Sequence, residues 1–211
     1  MSFIIDYFKI FYEILFRSKI FIKRNSYGFE SEDVFINEYF KNIQNGFYVD
    51  IGAFNPIRGS NTYLLYQKGW SGINVDADKN SIRMFDILRS KDYNFNYAIS
   101  SADKKEIDFF YEKNSSAVKT INSKFRDLTL KNYKTKKVKT SNFENIINNT
   151  NFSNHQIDFL NIDCEGSDYD VLKLIDLNKY KPKLLCIARN SYTCKDIKDS
   201  PVYKHLCINN F

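Results

Sequence analysis

The sequence contains little glycine and little proline, with seven and three residues among 211. These counts exclude collagen-like and proline-rich architectures. The four cysteines form no CxxC pair, and their neighbours are not histidines or further cysteines at zinc-ligand spacing. The sequence therefore predicts no metal site, and a reduced, cytoplasmic protein is the expectation.

An excess of charge is also nearly absent, because 31 basic residues face 25 acidic ones and the net charge is +6. This imbalance is too small to indicate a nucleic-acid-binding protein. Five lysines nevertheless lie between 131 and 139 without an acidic residue among them. A solvated loop or strand edge is the ordinary interpretation of this segment, and attraction to an acidic glycan or a membrane surface is the alternative.

The strongly apolar segment 3–22 lacks an uninterrupted hydrophobic run. Asp6, Lys9, Glu13 and Arg17 interrupt it at steps of three, four and four residues, which places them on one stripe of a helix. Charges at this spacing disfavour a membrane span, and no small-residue cleavage site follows. We predict an amphipathic helix within an N-terminal extension (1–27), ahead of a single domain (28–211).

Three roles are open to this helix. It would pack on the domain, form a homodimer through residues 3–22, or lie on the surface of a membrane as a peripheral anchor. Packing or dimerisation is the preferred expectation.

Strand-like and helix-like segments alternate through the rest of the chain. The predicted strands cover 47–51, 72–76, 95–99, 107–111, 137–140, 157–162 and 183–187. The predicted helices cover 31–40, 60–68, 81–90, 142–149 and 167–175. This alternation predicts an α/β fold with a mostly parallel, doubly wound sheet. The polar residues 112–134 give no clear assignment.

Ligands of doubly wound sheets bind at the carboxyl ends of the strands. After the first strand comes Asp50-Ile-Gly-Ala-Phe-Asn55, which has neither the GxGxxG pattern nor a P-loop. Its single glycine lets the backbone approach a small ligand, and Asp50 can hold an amino or hydroxyl group. Asp76 ends the second strand, where an acid can accept hydrogen bonds from ribose; a solvated acid is the alternative. Together they favour a nucleoside ligand without pyrophosphate, for which S-adenosylmethionine is the obvious candidate.

Three carboxylates follow the strand over 157–162. Asp163, Glu165 and Asp168 lie within six residues, and such clusters persist when they hold a cation, share a proton or face a polar substrate. Helix capping explains Asp168, but it explains Asp163 poorly because that residue ends an apolar strand. We therefore favour a catalytic role for Asp163 and Glu165.

Several segments, taken together, closely resemble the FkbM family of S-adenosylmethionine-dependent methyltransferases over roughly residues 28–190. The segments that carry the resemblance are 47–56, 60–62, 69–76 and 157–166, with supporting matches at 31–33, 89, 92, 98–100 and 181–183. The resemblance implies a Rossmann-like class I methyltransferase fold. It also implies O-methylation of a sugar hydroxyl or a similar group, in glycan or natural-product biosynthesis, with a glycan or other small molecule as acceptor.

Residues are carried over from this resemblance position by position. The predicted cofactor-binding residues are Asp50, Gly52, Ala53, Asn55, Ser60, Asn61, Thr62, Asp76, Ala77 and Ala98. We expect the first loop to line the methionine end of the cofactor, and residues 60–62 to cap the next helix and reach its carboxylate. Asp76 would hold the ribose and Ala98 would flank the adenine. Asp163 or Glu165 would orient or deprotonate the acceptor hydroxyl, with metal assistance as an open alternative.

Two departures from the family pattern motivate a second hypothesis. Many relatives place a glutamate after the strand that follows the proline, whereas Ala188 and Arg189 stand here. Only 24 residues follow Ile187, so an incomplete C-terminal strand pair is expected. The alternative function is therefore a catalytically weakened or inactive cofactor-fold protein that acts as a binding partner.

Overall fold

The computed structural model describes residues 2–101, 105–114, 116–189 and 193–211, with the side chains of 2–6 and 194 left aside. The chain forms two compact units, Met1–Tyr97 and Ala98–Phe211. The architecture is mixed α/β with mostly parallel strand pairing in the central sheet, as the sequence predicts. Within the described part of the chain, no helix is both long enough and apolar enough to cross a bilayer.

The first unit is built on three parallel strands: β1 (Phe47–Ile51), β2 (Ser71–Val75) and β3 (Tyr93–Phe95). Its helices are α1 (Ser2–Tyr12), continued by a π-helical turn (Glu13–Arg17), α2 (Glu32–Tyr39), α3 (Tyr63–Gln67) and α4 (Lys79–Leu88). β2 pairs with both other strands, with Val49 opposite Ile73 and Ile73 opposite Tyr93. Every residue of β1 is buried, including Asp50, and this burial explains why its other residues are apolar or aromatic.

Close packing between β1 and β2 requires a glycine. A Cβ atom at Gly72 would lie 2.3 Å from the carbonyl oxygen of Tyr48 and 2.4 Å from its ring. Trp70 is likewise buried, donates its ring N–H to the carbonyl of Ile43 and packs edge-on against Phe40. The core of this unit therefore uses Trp70 as a structural side chain.

The N-terminal helix packs against the first unit along one side. Ile10 and Ile14 are buried together with Met84 of α4, and Leu88 packs against the same cluster. The helix therefore packs on α4 through Ile10 and Ile14. Glu13 and Arg17 of the predicted polar stripe form a 2.7 Å ion pair, while the side chain of Asp6 lies outside the described residues.

The second unit contains two groups of strands. β4 (Ala98–Ile99), β5 (Glu106–Tyr111), β6 (Lys119–Thr120) and β7 (Lys134–Ser141) form one sheet in the order β4-β7-β5-β6. β5 runs antiparallel to β6 and β7, and β4 is parallel to β7. β8 (Phe159–Ile162) and β9 (Leu184–Ile187) form a parallel pair.

Six helices complete the described part of this unit. They are α5 (Ser123–Thr129), α6 (Phe143–Asn148), α7 (Asp168–Leu172), α8 (Leu177–Tyr180), α9 (Cys194–Lys198) and α10 (Pro201–Ile208). The described residues 193–211 contain these last two helices and no strand.

The lysine-rich segment forms most of β7. Lys139 and Lys137 pair with Glu106 and Asp108 of β5, and Lys137 makes a 2.8 Å ion pair with Asp108. Lys136 lies over the ring of Phe109 at 5.2 Å. The segment is therefore a solvated strand whose charge is partly balanced by its neighbour, in line with the ordinary interpretation.

Four local predictions are wrong. The predicted strand 95–99 is broken at Asn96, whose side-chain amide donates to the carbonyls of Asp76 and Ala77. The helix expected from Ser60 begins at Tyr63, and Ser31 precedes α2 at φ 66° without a capping bond from its side chain. β9 is half-buried where full burial was expected, because it is an edge strand.

Candidate active site

The loop after β1 folds back onto the end of β2. The amide groups of Gly52 and Ala53 both donate to the carbonyl of Val75, at 2.9 and 3.2 Å. Gly52 adopts φ +80°, a conformation that side-chain-bearing residues rarely tolerate. The glycine therefore sets the turn that places the loop backbone at the carboxyl end of two neighbouring strands.

Asp76 fixes this loop with both of its carboxylate oxygens. Oδ2 accepts the amide of Phe54 at 2.8 Å, and Oδ1 accepts the amide of Asp78 at 2.6 Å. These two contacts orient the carboxylate group directly after β2. Asp76 is only partly buried, and Ala77 beside it is also partly buried.

Asn55 supports the same loop from inside the protein. Its carbonyl oxygen accepts the amides of Ile57 and Arg58 at 3.0 and 2.9 Å, and its amide group donates to Ser18. The residue is completely buried. Its side-chain polar atoms form hydrogen bonds within the protein, so Asn55 would influence a ligand only through the shape of the loop.

A buried arginine that the sequence analysis did not interpret organises the rest of the loop. Arg89 is completely buried and donates to the carbonyl of Pro56, to the hydroxyl of Tyr48 and, at 2.7 Å each, to the hydroxyls of Ser60 and Thr62. Thr62 in turn donates its hydroxyl to Asp50 at 2.8 Å. This chain of contacts links the predicted cofactor residues Asp50, Ser60 and Thr62.

The hydrogen bonds around Arg89 show that one predicted role is wrong, the capping of α3 by the side chains of residues 60–62. Thr62 precedes α3 as its N-cap, but no side chain caps that helix. The hydroxyls of Ser60 and Thr62 are occupied by Arg89 and Asp50 instead. Asn61 between them is partly buried, with its carbonyl oxygen close to Gly28.

A second buried acid completes the network. Asp92 accepts hydrogen bonds from the hydroxyl of Tyr48, the side-chain amide of Asn74 and the backbone amide of Gly72. Burial raises the pKa of Asp92 above its ordinary value, against the lowering effect of the Arg89 charge. Burial also raises the pKa of Tyr48 well above that of an exposed tyrosine.

In the second unit, Asp168 shapes the acidic loop after β8. Its carboxylate accepts the backbone amides of Cys164 at 2.6 Å and Gly166 at 3.0 Å. Burial is the main cause that raises the pKa of Asp168. Glu165 and Gly166 both have positive φ values, 47° and 86°, so the chain makes a tight left-handed turn at the predicted catalytic position.

Glu165 has the most perturbed acidity of this loop. Burial, followed by the negative charges of Asp163 and Asp168, raises its pKa from 4.5 to about 7. A carboxyl group with a pKa near neutrality can both accept and release a proton at physiological pH. Among the described residues, no set of three or more histidine, cysteine or acidic side chains has the geometry of a metal site.

Residues from the unassigned segment 112–134 hold this acidic loop in place. Thr120 donates its hydroxyl to the carbonyl of Glu165 at 2.8 Å, and Asn122 donates to the carbonyl of Gly166 at 2.7 Å. Phe125 packs so closely that a Cβ atom at Gly166 would lie 2.6 Å from it. No motif in the sequence predicts these contacts.

The remaining predicted positions lie in strands or directly after them. Ala98 is buried in β4 opposite Thr140. Ala188 extends the pairing of β9 by donating its amide to the carbonyl of Ile162 at 2.9 Å. The described contacts link Asp50, Ser60 and Thr62, join Asp76 to the Gly52 loop, and bring Asp163, Glu165 and Asp168 together.

An acid directly after β2, a glycine turn after β1 and parallel strand pairing define the chain as a Rossmann-like protein. The family model described as Methyltransferase FkbM domain matches residues 50–199. The chain therefore belongs to the FkbM methyltransferase family. No curated protein and no solved structure matches the chain.

Proposed function

We propose that this protein is an S-adenosylmethionine-dependent O-methyltransferase of the cytoplasm. Its acceptor would be a sugar hydroxyl or a similar group, in glycan or natural-product biosynthesis. The observation that carries the proposal is Glu165, whose pKa is raised to about 7 in the acidic loop of a methyltransferase-family chain. Methyl transfer to a hydroxyl requires a group that removes its proton, and this carboxyl group has the required acidity.

The residues of the first unit fit the cofactor chemically. Gly52 allows the backbone to approach a ligand, and the fixed carboxylate of Asp76 can accept hydrogen bonds from ribose hydroxyls. Asp50, Ala53, Asn61 and Ala77 complete the proposed binding set of this unit. When bound, S-adenosylmethionine supplies an electrophilic methyl group.

The residues of the second unit would activate the acceptor. Glu165 takes the proton of the acceptor hydroxyl and passes it to solvent, while Asp163 orients the hydroxyl by accepting a hydrogen bond. Asp168, Thr120 and Asn122 hold the loop, so the carboxylates need little reorganisation during the reaction.

A second candidate function rests on Ala188 and Arg189. These residues stand where the family resemblance implies a carboxylate. The competing proposal is therefore a protein that binds the cofactor but does not transfer its methyl group. The two proposals agree on cofactor binding and differ only in whether a methyl group is transferred.

We expect Asp163→Asn and Glu165→Gln each to lower methyl transfer by about 10²–10⁴-fold, the usual contribution of a general base. Release of S-adenosylhomocysteine is measured with a panel of sugar acceptors. Asp170→Asn is the matched control, since this acid of α7 is exposed and forms an ion pair with Lys173 on the helix surface. The control should keep wild-type turnover.

Unchanged turnover in both loop variants would remove these carboxylates from the mechanism. A loss of thermal stability without a loss of turnover would assign them to helix capping instead. A wild-type protein that binds the cofactor but methylates no member of a broad acceptor panel would favour the binding protein.

A further inference from the structure

The N-terminal helix exposes a large apolar surface to solvent. Its exposed apolar residues recur at steps of four, on two adjacent stripes of the helix. They are Tyr7, Phe8, Phe11, Tyr12, Leu15 and Phe16, and Phe21 and Ile22 follow in the next turn. Phe8 is 74% exposed and Phe21 is 83% exposed, so this aromatic face is an unusual feature of a surface helix.

The opposite side of the helix is fixed, so the aromatic face cannot simply turn inward. Ile10 and Ile14 pack against Met84, which anchors the helix to α4. The hydroxyl of Ser18 donates to the buried Asn55 at 3.2 Å at the end of the helical segment. The exposed face is therefore a property of the packed structure.

Positive charge accompanies the aromatic face. Residues 7–27 contain five basic residues and a single acid, Glu13. Arg58 lies close enough to Arg17 and Arg24 that their charges, after burial as the main cause, lower its pKa. The Nε atom of Arg58 is buried without a hydrogen-bond partner. The segment thus places a cationic cluster next to an apolar surface.

We propose that this aromatic face binds the interface of an anionic lipid membrane, with the helix lying in the plane of the surface. Aromatic side chains on one face and lysine and arginine beside them are the features of interfacial helices. Homodimerisation through the same face is disfavoured, because it would bring two cationic clusters together in an apolar contact.

The test is co-sedimentation of the full chain with vesicles. Vesicles of phosphatidylcholine with phosphatidylglycerol should bind the protein, and vesicles of phosphatidylcholine alone should bind it far less. The double variant Phe8→Ser with Phe16→Ser should lower binding to anionic vesicles by about tenfold or more, since two apolar contacts are lost. Lys19→Glu with Lys23→Glu should also lower binding, and high salt should weaken the wild type.

A matched control replaces exposed apolar residues elsewhere: Phe35, 67% exposed, and Leu128, 86% exposed, each changed to serine. This control should bind like the wild type, and thermal unfolding confirms that all variants are folded. Equal binding to neutral vesicles, or equal loss in the control, would overturn the proposal. A wild-type dimer in light scattering that Phe8→Ser with Phe16→Ser dissociates would identify the face as a homodimer surface instead.

Discussion

At the scale of single residues, Glu165 combines burial, backbone strain and neighbouring negative charge. Its φ of 47° strains the backbone, and its position beside Asp163 and Asp168 disfavours an ionised side chain. The hydrogen bonds from Thr120 and Asn122 hold the loop in this state. Such a concentration of strain and perturbed acidity is typical of catalytic positions.

The raised pKa of Glu165 predicts how stability depends on pH. Because its folded pKa of about 7 exceeds the ordinary 4.5, the folded protein binds this proton more tightly than the unfolded chain does. The resulting stabilisation is complete below 4.5 and is lost as the pH rises through 7. Glu165→Gln removes this dependence, so the variant should gain stability relative to the wild type over that window.

Chemical denaturation at a series of pH values measures this difference. Turnover of the wild type should rise through the same window as Glu165 becomes ionised and able to accept a proton. A difference in unfolding free energy between wild type and variant that stays constant with pH would contradict the raised pKa.

The positions of single residues in the fold were predictable where those residues belong to a sequence motif. Asp76 and the acids of the 163–168 loop follow apolar strands, so their place at strand ends could be read directly. Arg89 could not be interpreted in this way, because its role arises from four acceptors that the fold brings together from β1, the following loop and residues 60–62. Likewise, only tertiary packing brings Thr120 to the carbonyl of Glu165.

At the scale of elements, Arg89 joins the end of α4 to β1 and to the loop before α3. Its charge is completely buried and lies near the buried Asp92. The rings of Tyr63, Tyr66 and Phe85 surround its guanidinium group, with centroids 5.0 to 5.5 Å away. The loop that follows β1 therefore depends on one cation for its position.

Arg89→Met should lower the free energy of unfolding by about 3–5 kcal/mol, because it leaves buried hydroxyl and carbonyl groups without their donor and removes the buried positive charge near Asp92. Arg89→Lys keeps the charge but loses the forked geometry, so it should fall between methionine and the wild type. Lys91→Met changes an exposed cation nearby and should be almost neutral. Urea denaturation measures all three, and an Arg89→Met protein as stable as Lys91→Met would show that the network contributes little.

The sequence predicted the bounds of secondary-structure elements best where nearly all residues of the element are buried. The parallel strands β1, β2 and β8 appear within two residues of their predicted bounds because apolar runs specify them. The strand predicted over 95–99 failed because the side chain of Asn96 binds two carbonyls and breaks the ladder, an effect that hydrophobic patterns do not encode. Residues 112–134 were unassigned because β6 and α5 are short and polar, and α5 has no buried residue.

At the scale of the whole molecule, the two compact units carry different chemical groups. The first unit carries the glycine turn and Asp76, which suit a nucleoside ligand, and the second carries the acidic loop, which suits proton transfer. Cofactor binding and turnover should therefore be separable by mutation. The boundary predicted between 27 and 28 stays a prediction, since α1 packs within the first unit.

The central claim is that the loop after β1 binds S-adenosylmethionine, and calorimetric titration with S-adenosylhomocysteine tests it most directly. The wild type and Glu165→Gln should both bind with a dissociation constant of about 1 μM or lower. Asp76→Ala should bind more weakly by about 1–3 kcal/mol, the cost of unpaired ribose hydrogen bonds and a loosened loop. Gly52→Val should not bind, because valine is strained at φ +80° and fills space beside the ligand. A wild type that fails to bind, or a folded Gly52→Val protein that binds as tightly as the wild type, would contradict the account.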